Sequence, residues 1–382
     1  MKVLSIGNEI RPGFSFAASM ALSGHKVLHI HISSFSRSPS SKRAIVELDS
    51  GTVGLKFIEL PINFYRSKEL VKKISDIIEE FDVIVSTPLP ILTRFSINKS
   101  GKPLVLRFYS IGFFDIVNEL KTPRIFFEML PFYNIRINRQ ALLSTLLVAH
   151  SNHVAKFLKE RLVLRRPVNF VYPTYAKVFF YNEDHVKNDA IKGILEDASK
   201  KPIVLGIAQL WRPGFSRKID EKVVKVLYYI ARKNPKVKVV ILGSNGEEVK
   251  AVLRRDLPQN LISSGLITHD TIIEHVYRLS DLVVVPVRFK SVSIRLLEAL
   301  FYGKAILTTS AAREMFPDLI NLYHVYISDD FHSYPYIIDS LFARDLINVL
   351  EEGAKEAWKK FFSESAFRIK MDKIVEYAWK LQ

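Results

Sequence analysis

The chain contains no cysteine. Disulfides and thiolate metal sites are therefore excluded, and a reducing compartment is the simpler expectation. No apolar run has the length of a membrane span, and Glu9 and Arg11 interrupt the apolar start, so it reads as a first strand rather than a leader. Biased sequence is confined to "SSFSRSPSSKR" at 33–43, which reads as a loop. Acidic residues are scarce: 39 Asp and Glu stand against 55 Lys and Arg, for a net charge of +16. Such an excess favours an anionic partner, among them nucleotide phosphates, a lipid phosphate or anionic membrane surface, and nucleic acid. Helix-turn-helix, ribonucleoprotein aromatic and zinc-module patterns are missing, which places nucleic acid behind the others.

What is present is ordinary for a soluble protein, with 48% hydrophobic and 25% charged residues. At 382 residues two domains are expected. The 26 Phe and 15 Tyr imply either a large core or a surface that touches lipid or glycan.

Strand and helix patterns alternate throughout, which argues for an α/β protein built of two Rossmann-like, doubly wound parallel sheets facing a cleft. In the first half, strands are expected at 2–7, 26–32, 53–60, 82–86, 103–108 and 147–151, with helices after Gly13, over 67–80, within 123–147 and after Asn152. The pattern restarts at "PIVLGIA" (202–208), and Ile219, Val223, Val224, Leu227 and Ile230 mark one helical face that Asn234-Pro235 ends. Further strands are expected at 237–243, 260–265, 281–287, 304–310 and 323–328. The organisation expected is a first domain over 1–175, a second over 176–364, and a terminal helix over 365–382.

The pentapeptide "RPGFS" occurs at 11–15 and again at 212–216, each time between an apolar strand pattern and a helix. Both copies read as the first strand-to-helix turn of a doubly wound half, where ligands bind beyond the carboxyl ends of the strands. Two facing sheets would bring both turns to one cleft.

The segment "SDLVVVPVRFKSVSIRLLEALFYGKAILTTS" (280–310) resembles the nucleotide-sugar site of GT-B glycosyltransferases, in particular the retaining glycosyltransferase family 4. The resemblance rests on Pro286 ending a strand, then Leu297-Glu298-Ala299, Gly303-Lys304 and the strand "AILTT". "VILGSNGEE" (240–248) and "NLISSGLITHDTIIEHVYRLSD" (260–281) fall in the family's order. It implies a glycosyltransferase that moves a sugar from a nucleotide-sugar donor to a lipid-linked or glycan acceptor with retention. Neither a cofactor nor a metal is implied, and no Asp-x-Asp motif of the GT-A kind is found.

The resemblance also distributes roles. Glu298 would accept the ribose hydroxyls, and Ser291 or Ser293 would cap the helix whose N-terminus faces the diphosphate. Arg212 and Lys218 would neutralise the leaving diphosphate as the catalytic cations, with Arg217 interchangeable. Lys290, Arg295, Gly243, Leu266, Ile267, Gly13 and Phe14 complete the donor side, and Arg107, Tyr109 and His150 face the acceptor. The chain departs from the family at Lys290, which stands where a first Glu is usual, and the following Ser-Val-Ser replaces glycines. His29 and His31 share a strand face with no third ligand, so they read as structural. The Asp329-Asp330 pair reads as a loop or helix cap.

Basic and aromatic residues mix at 62–73 and 122–143, a composition suited to an anionic membrane surface. The expected location is cytoplasmic, with a peripheral position at the inner face of the membrane. Two other readings stay open: a GT-B protein that binds nucleotide sugars without turning them over, and a basic nucleic-acid-binding protein.

Overall fold

The computed structural model describes residues 1–33, 36, 38–61, 63–88, 101–109, 139–161, 167–180, 201–211, 217–265, 267, 270–287 and 290–381. In chain order the first part comprises β1 (Lys2–Gly7), α1 (Ile10–Leu22), β2 (Lys26–Ser33), β3 (Ser40–Leu48), β4 (Gly51–Pro61), α2 (Lys68–Glu79) and β5 (Val83–Ser86). It continues with β6 (Leu104–Phe108), β7 (Leu146–Ala149), α3 (Asn152–Arg161), β8 (Val168–Phe170) and β9 (Lys177–Phe180). These strands form one sheet of nine in the order β8-β7-β6-β5-β1-β2-β4-β3-β9. Consecutive strands stop being neighbours between β1 and β5, which makes this the switch point of the sheet.

The second part comprises β10 (Ile203–Ile207), the short antiparallel pair β11 (Gln209–Trp211) and β12 (Arg217–Ile219), α4 (Glu221–Lys233), β13 (Lys238–Leu242) and α5 (Gly246–Leu253). It continues with β14 (Leu261–Ser263), α6 (Asp270–Leu279), β15 (Leu282–Val285), α7 (Ile294–Phe301), β16 (Ala305–Thr308), α8 (Ala311–Met315) and β17 (Tyr326–Ile327). Six strands in the order β14-β13-β10-β15-β16-β17 make a wholly parallel sheet. The expectation of two parallel α/β sheets is borne out. Its origin is plain in β13, β15 and β16, whose residues are all buried because helices cover both faces. In α4, Asp220 accepts from the Val223 N–H to cap the helix, and Val223, Val224, Leu227 and Ile230 bury the expected face.

Three local expectations are corrected. Ser40–Leu48 is a strand rather than the tail of a loop, paired antiparallel with β4 in the register Lys42↔Phe57. The alternation in "RAIVELDSGTVGLKF" around Asp49-Ser50-Gly51 is a hairpin pattern, masked by the serines that precede it. Next, β9 adds to β3, so the first sheet continues past residue 175. Finally, Arg11–Ser15 is not a turn: it forms the opening turns of α1, which starts at Ile10. Pro12 is tolerated there because the first N–H groups of a helix have no intrahelical partner. The second pentapeptide lies outside the described residues.

The chain ends with α9 (Tyr334–Ala343), α10 (Leu346–Ala357), a π-helical turn at Trp358–Phe362 and α11 (Glu364–Lys380). Helix α11 crosses to the first sheet, where Phe367, Met371, Val375 and Ala378 pack with Val3, Phe16 and Met20. The β3–β4 hairpin fastens the crossing, since Asp49 accepts from Trp358 Nε1 at 2.8 Å and from the Glu364 N–H at 3.0 Å. A second tie lies at β9, where the buried Lys177 ammonium sits 2.8 Å from Glu47 of β3 and 2.7 Å from Glu274 of α6.

The membrane-type segment at 62–73 is spent differently. Leu70 and Val71, with Ile74, Ile77 and Ile78 further along α2, pack on the core of the first sheet, leaving a charged outer face. Most of 122–143 lies outside the described residues. Among the described residues no helix is long and apolar enough to cross a membrane.

Candidate functional site

The two sheets meet at the N-terminal ends of α1, α6 and α7. Strand β15 leads through Pro286 to a segment ending at Ser293, whose hydroxyl accepts from the Leu296 N–H and caps α7. One and a half turns on, Glu298 is buried although it carries a carboxylate. Its Oε2 accepts from the Tyr277 hydroxyl at 3.0 Å and its Oε1 from Tyr175 at 3.4 Å. Arg11 Nη1, from the other sheet's α1, lies 2.6 Å from Oε1. Burial raises the Glu298 pKa, and the Arg11 charge opposes that rise.

Arg11 also pairs with Asp270 at the start of α6, and Asp270 in turn accepts from the Val178 N–H of β9 at 2.7 Å. The guanidinium stands 5.3 Å above the Tyr175 ring. Arg11 therefore closes a charged, aromatic-walled contact between the two halves. Neither Arg11 nor Asp270, Tyr175 or Tyr277 was among the expected site residues. Arg11 opens the repeated pentapeptide, which was the available signal, but the glycine and phenylalanine drew the assignment instead.

Those two assignments are corrected. Phe14 is fully buried among His29, Phe57 and Phe180, with ring centroids 4.6, 5.0 and 5.7 Å away, so it is core and cannot meet a sugar. Gly13 lies within α1, where a Cβ would stand 2.9 Å from His29 Cε1, so the glycine lets the helix pack closely on His29 of β2.

Of the remaining residues expected on the donor side, Lys290, Ser291 and Arg295 lie at or just before the start of α7. The Lys290 ammonium pairs with Glu314, while its carbonyl accepts from Ser151 Oγ of the first half at 2.5 Å. Ser291 is buried, and the next residue, Val292, donates its N–H to the Tyr109 carbonyl at 2.9 Å. Arg295 reaches Asp220 at 3.6 Å and its charge lowers the Glu298 pKa. Gly243 adopts φ 89° after β13 and donates to the Gly265 carbonyl, a turn that a side chain would strain. Ile267 packs half-buried on the core of the second sheet. Lys218 sits opposite Leu210 in the β11–β12 register. Arg212 and Leu266 lie outside the described residues.

Arg107, Tyr109 and His150 come together at the ends of β6 and β7. Arg107 Nε donates to His150 Nε2 at 3.2 Å, and Nη2 donates to the Tyr109 hydroxyl. The His150 Nδ1 faces the Val171 carbonyl at 2.8 Å and must carry the hydrogen, so Nε2 is the acceptor of a neutral ring. Burial, and then the Arg107 charge, push the His150 pKa down, in agreement. His29 and His31 are likewise held neutral by burial, His31 with a pKa of about 4. Among the described residues no three His, Asp or Glu side chains form a metal cluster. Asp329 and Asp330 accept from the backbone N–H groups of Ser310 and His332.

Glu9, just ahead of α1, was also missed. Burial pushes its pKa up to about 7, against the pull of Arg107. A carboxyl raised from its ordinary 4.5 favours the native state fully below that value and loses the contribution as pH rises through about 7. Glu9→Gln should therefore gain melting temperature relative to wild type between these two pH values, by several degrees. Parallel melting curves across the window would show instead that Glu9 titrates normally.

Residues 202–330 match the family model described as glycosyl transferases group 1. No curated protein matches the chain in sequence. Among solved structures, sucrose-phosphate synthase from Thermosynechococcus elongatus superposes with a TM-score of 0.70 at 12% identity, covering 100% of this chain and 99% of that one. HepE of Anabaena, solved with UDP and glucose, gives 0.67 at 13% identity over 98% and 99%. A UDP-forming α,α-trehalose-phosphate synthase from Burkholderia vietnamiensis gives 0.64 at 9% over 99% and 100%. The chain thus has a GT-B-like fold, and the part of it that carries the second sheet, residues 202–330, matches the glycosyl transferases group 1 model.

Proposed function

We propose that this protein is a retaining glycosyltransferase that takes a sugar from a nucleotide-sugar donor held by the second sheet. The acceptor, held by the first sheet, is a lipid-linked or glycan-type molecule. The observation that carries the reading is Glu298: a buried carboxylate on α7, inside the matched segment, at the carboxyl edge of a doubly wound sheet. Its Arg11 contact crosses between the halves, so separation of the halves frees the carboxylate for a ribose diol.

The remaining roles follow from charge. The N-terminus of α7, capped by Ser293, presents N–H groups to the diphosphate. Arg212 and Lys218 neutralise the charge that develops on the leaving group, and Arg295 adds to the field. In the front-face route the leaving phosphate accepts the acceptor's proton, and the protein orients both substrates. The UDP and glucose bound by HepE support a UDP-class donor. The net charge of +16 supports an anionic membrane surface as the setting.

A second reading has one observation behind it. Lys290 occupies the place of a donor-binding carboxylate and is paired with Glu314, which suits a protein that binds a nucleotide sugar without turnover. A thermal-shift panel of UDP, GDP, ADP and their sugars, followed by an assay for released nucleoside diphosphate, separates the two. Stabilisation by one nucleotide class with turnover supports the transferase, and stabilisation without turnover supports the binding protein. A flat panel removes both.

A further inference from the structure

The carboxyl edge of the first sheet carries a charge that the donor site does not use. Arg107 is only 2% exposed, and its described hydrogen-bond partners, His150 and the Tyr109 hydroxyl, are neutral. Rings of Phe16 and Tyr109 lie against it at 4.3 and 5.1 Å. Among the described residues no carboxylate lies within ion-pair distance of the guanidinium. Glu9 feels its charge, but burial raises that carboxyl's pKa to about 7, so at neutral pH it offsets the cation only in part. A buried cation offset only in part still carries a desolvation cost, which the fold bears to keep it at this edge.

Its surroundings share one character. Thr87 follows β5 one residue beyond the Ser86↔Leu106 pair, which sets it beside Arg107 on the adjacent strand. Its Oγ1 is buried with no hydrogen-bond partner. Gly7 flanks it at the end of β1, where even an added Cβ would stay 3.8 Å from that oxygen. The chain then enters α1, a helix of 13 residues whose N-cap, Glu9, makes no side-chain cap; Pro12 has no N–H and the Gly13 N–H donates to the Glu9 carbonyl, so the first-turn donors at this edge are the Ile10 and Arg11 N–H groups. The Tyr109 hydroxyl accepts from Arg107 and keeps its own proton to donate. A buried guanidinium, two hydroxyls and a helix N-terminus are the complement of a tetrahedral oxyanion.

We propose that Arg107, Tyr109, Thr87 and the first turn of α1 form an oxyanion subsite that receives a phosphate-class group on the acceptor. The proposal rests on the glycosyltransferase reading, which makes the first sheet the acceptor side. The Val292 N–H bonded to the Tyr109 carbonyl places the donor-side segment directly over the subsite. An acceptor anion enters while the halves are apart, and closure then seals it beside the donor.

The test uses the full chain with inorganic phosphate, glucose 6-phosphate, glucose and UDP as probes in thermal shift and calorimetry. Phosphate and glucose 6-phosphate should bind wild type and glucose should not. Thr87→Val and Tyr109→Phe keep volume, and each should weaken the anions by about 5–10-fold, the worth of one hydrogen bond to a charged group, while UDP binding holds. Arg107→Met should abolish anion binding, and the two milder variants decide the matter where it fails to fold. Anion binding that survives both hydroxyl removals overturns the subsite. So does anion binding that disappears with Glu298→Ala, which assigns the anion to the donor's diphosphate pocket. UDP binding without anion binding overturns the subsite and leaves the transferase reading intact, whereas silence from every probe overturns both.

Discussion

Replacing Glu298 by alanine is expected to abolish stabilisation of the protein by nucleotides. At ~100 times its dissociation constant a ligand stabilises the native state by roughly 2.7 kcal/mol, and the ribose diol has no other carboxylate at this position on α7. The loss should be common to a nucleoside diphosphate and its sugar, because the role proposed for the carboxylate is at the ribose and not the sugar. Glu298→Gln separates charge from shape: it keeps a hydrogen-bond acceptor for Tyr277 but leaves the Arg11 cation with Asp270 alone. It should retain part of the nucleotide effect while Glu298→Ala retains none. Full nucleotide binding by the alanine variant would show that Glu298 is only an interdomain strut. The Arg11 and Tyr277 contacts would then be its whole purpose.

How far the sequence allowed this site to be read depends on the range of the interactions. Strands β10, β13, β15 and β16 were legible because burial on both faces forces unbroken Val, Ile and Leu runs. Helix α7 was legible because capping and apolar spacing are local. The β3 strand was not, since its first residues, Ser40 to Arg43, are mostly exposed and polar, and only pairing with β4 makes them a strand. The first RPGFS was misread for a similar reason. Pro-Gly favours turns in isolation, but the packing of Gly13 on His29 draws it into the start of a helix.

The charged contacts were out of reach altogether. Arg11 lies 259 residues from Asp270, and although it opens the repeated pentapeptide, nothing in the sequence pairs it with that carboxylate. Arg107 stood out only by topology, as a charged residue at the end of a buried strand. That its partners are neutral is a fact of three dimensions. The same holds for Lys177, whose two carboxylates come from a hairpin before it and a helix after it. Sequence reading therefore recovered the sheets and helix α7, and missed the contacts that join them.

Those contacts set the second large effect. Arg11→Met keeps much of the side chain's length and apolar stem but removes the cation between Asp270 and Glu298. Two buried carboxylates are then left without their shared counter-charge, and breaking such a pair costs about 3–5 kcal/mol. The variant should melt well below wild type at neutral pH. It should recover on acidification, because the Glu298 carboxyl, already raised by burial, loses the opposing pull of Arg11 and takes up a proton more readily. The direction of the linkage is fixed: a carboxyl whose folded pKa is raised stabilises the native state at low pH and loses that contribution as pH rises. Melting temperature against pH, for wild type and variant side by side, checks both the size and the slope. Nucleotide adds a third reading, since a ribose diol that takes the place of Arg11 gives back hydrogen bonds to Glu298. Arg11→Met should therefore be stabilised by nucleotide at least as strongly as wild type, the opposite of Glu298→Ala. A variant that loses nucleotide binding along with stability would instead make Arg11 part of the donor site, and the two halves would have to close around the donor with that ion pair intact.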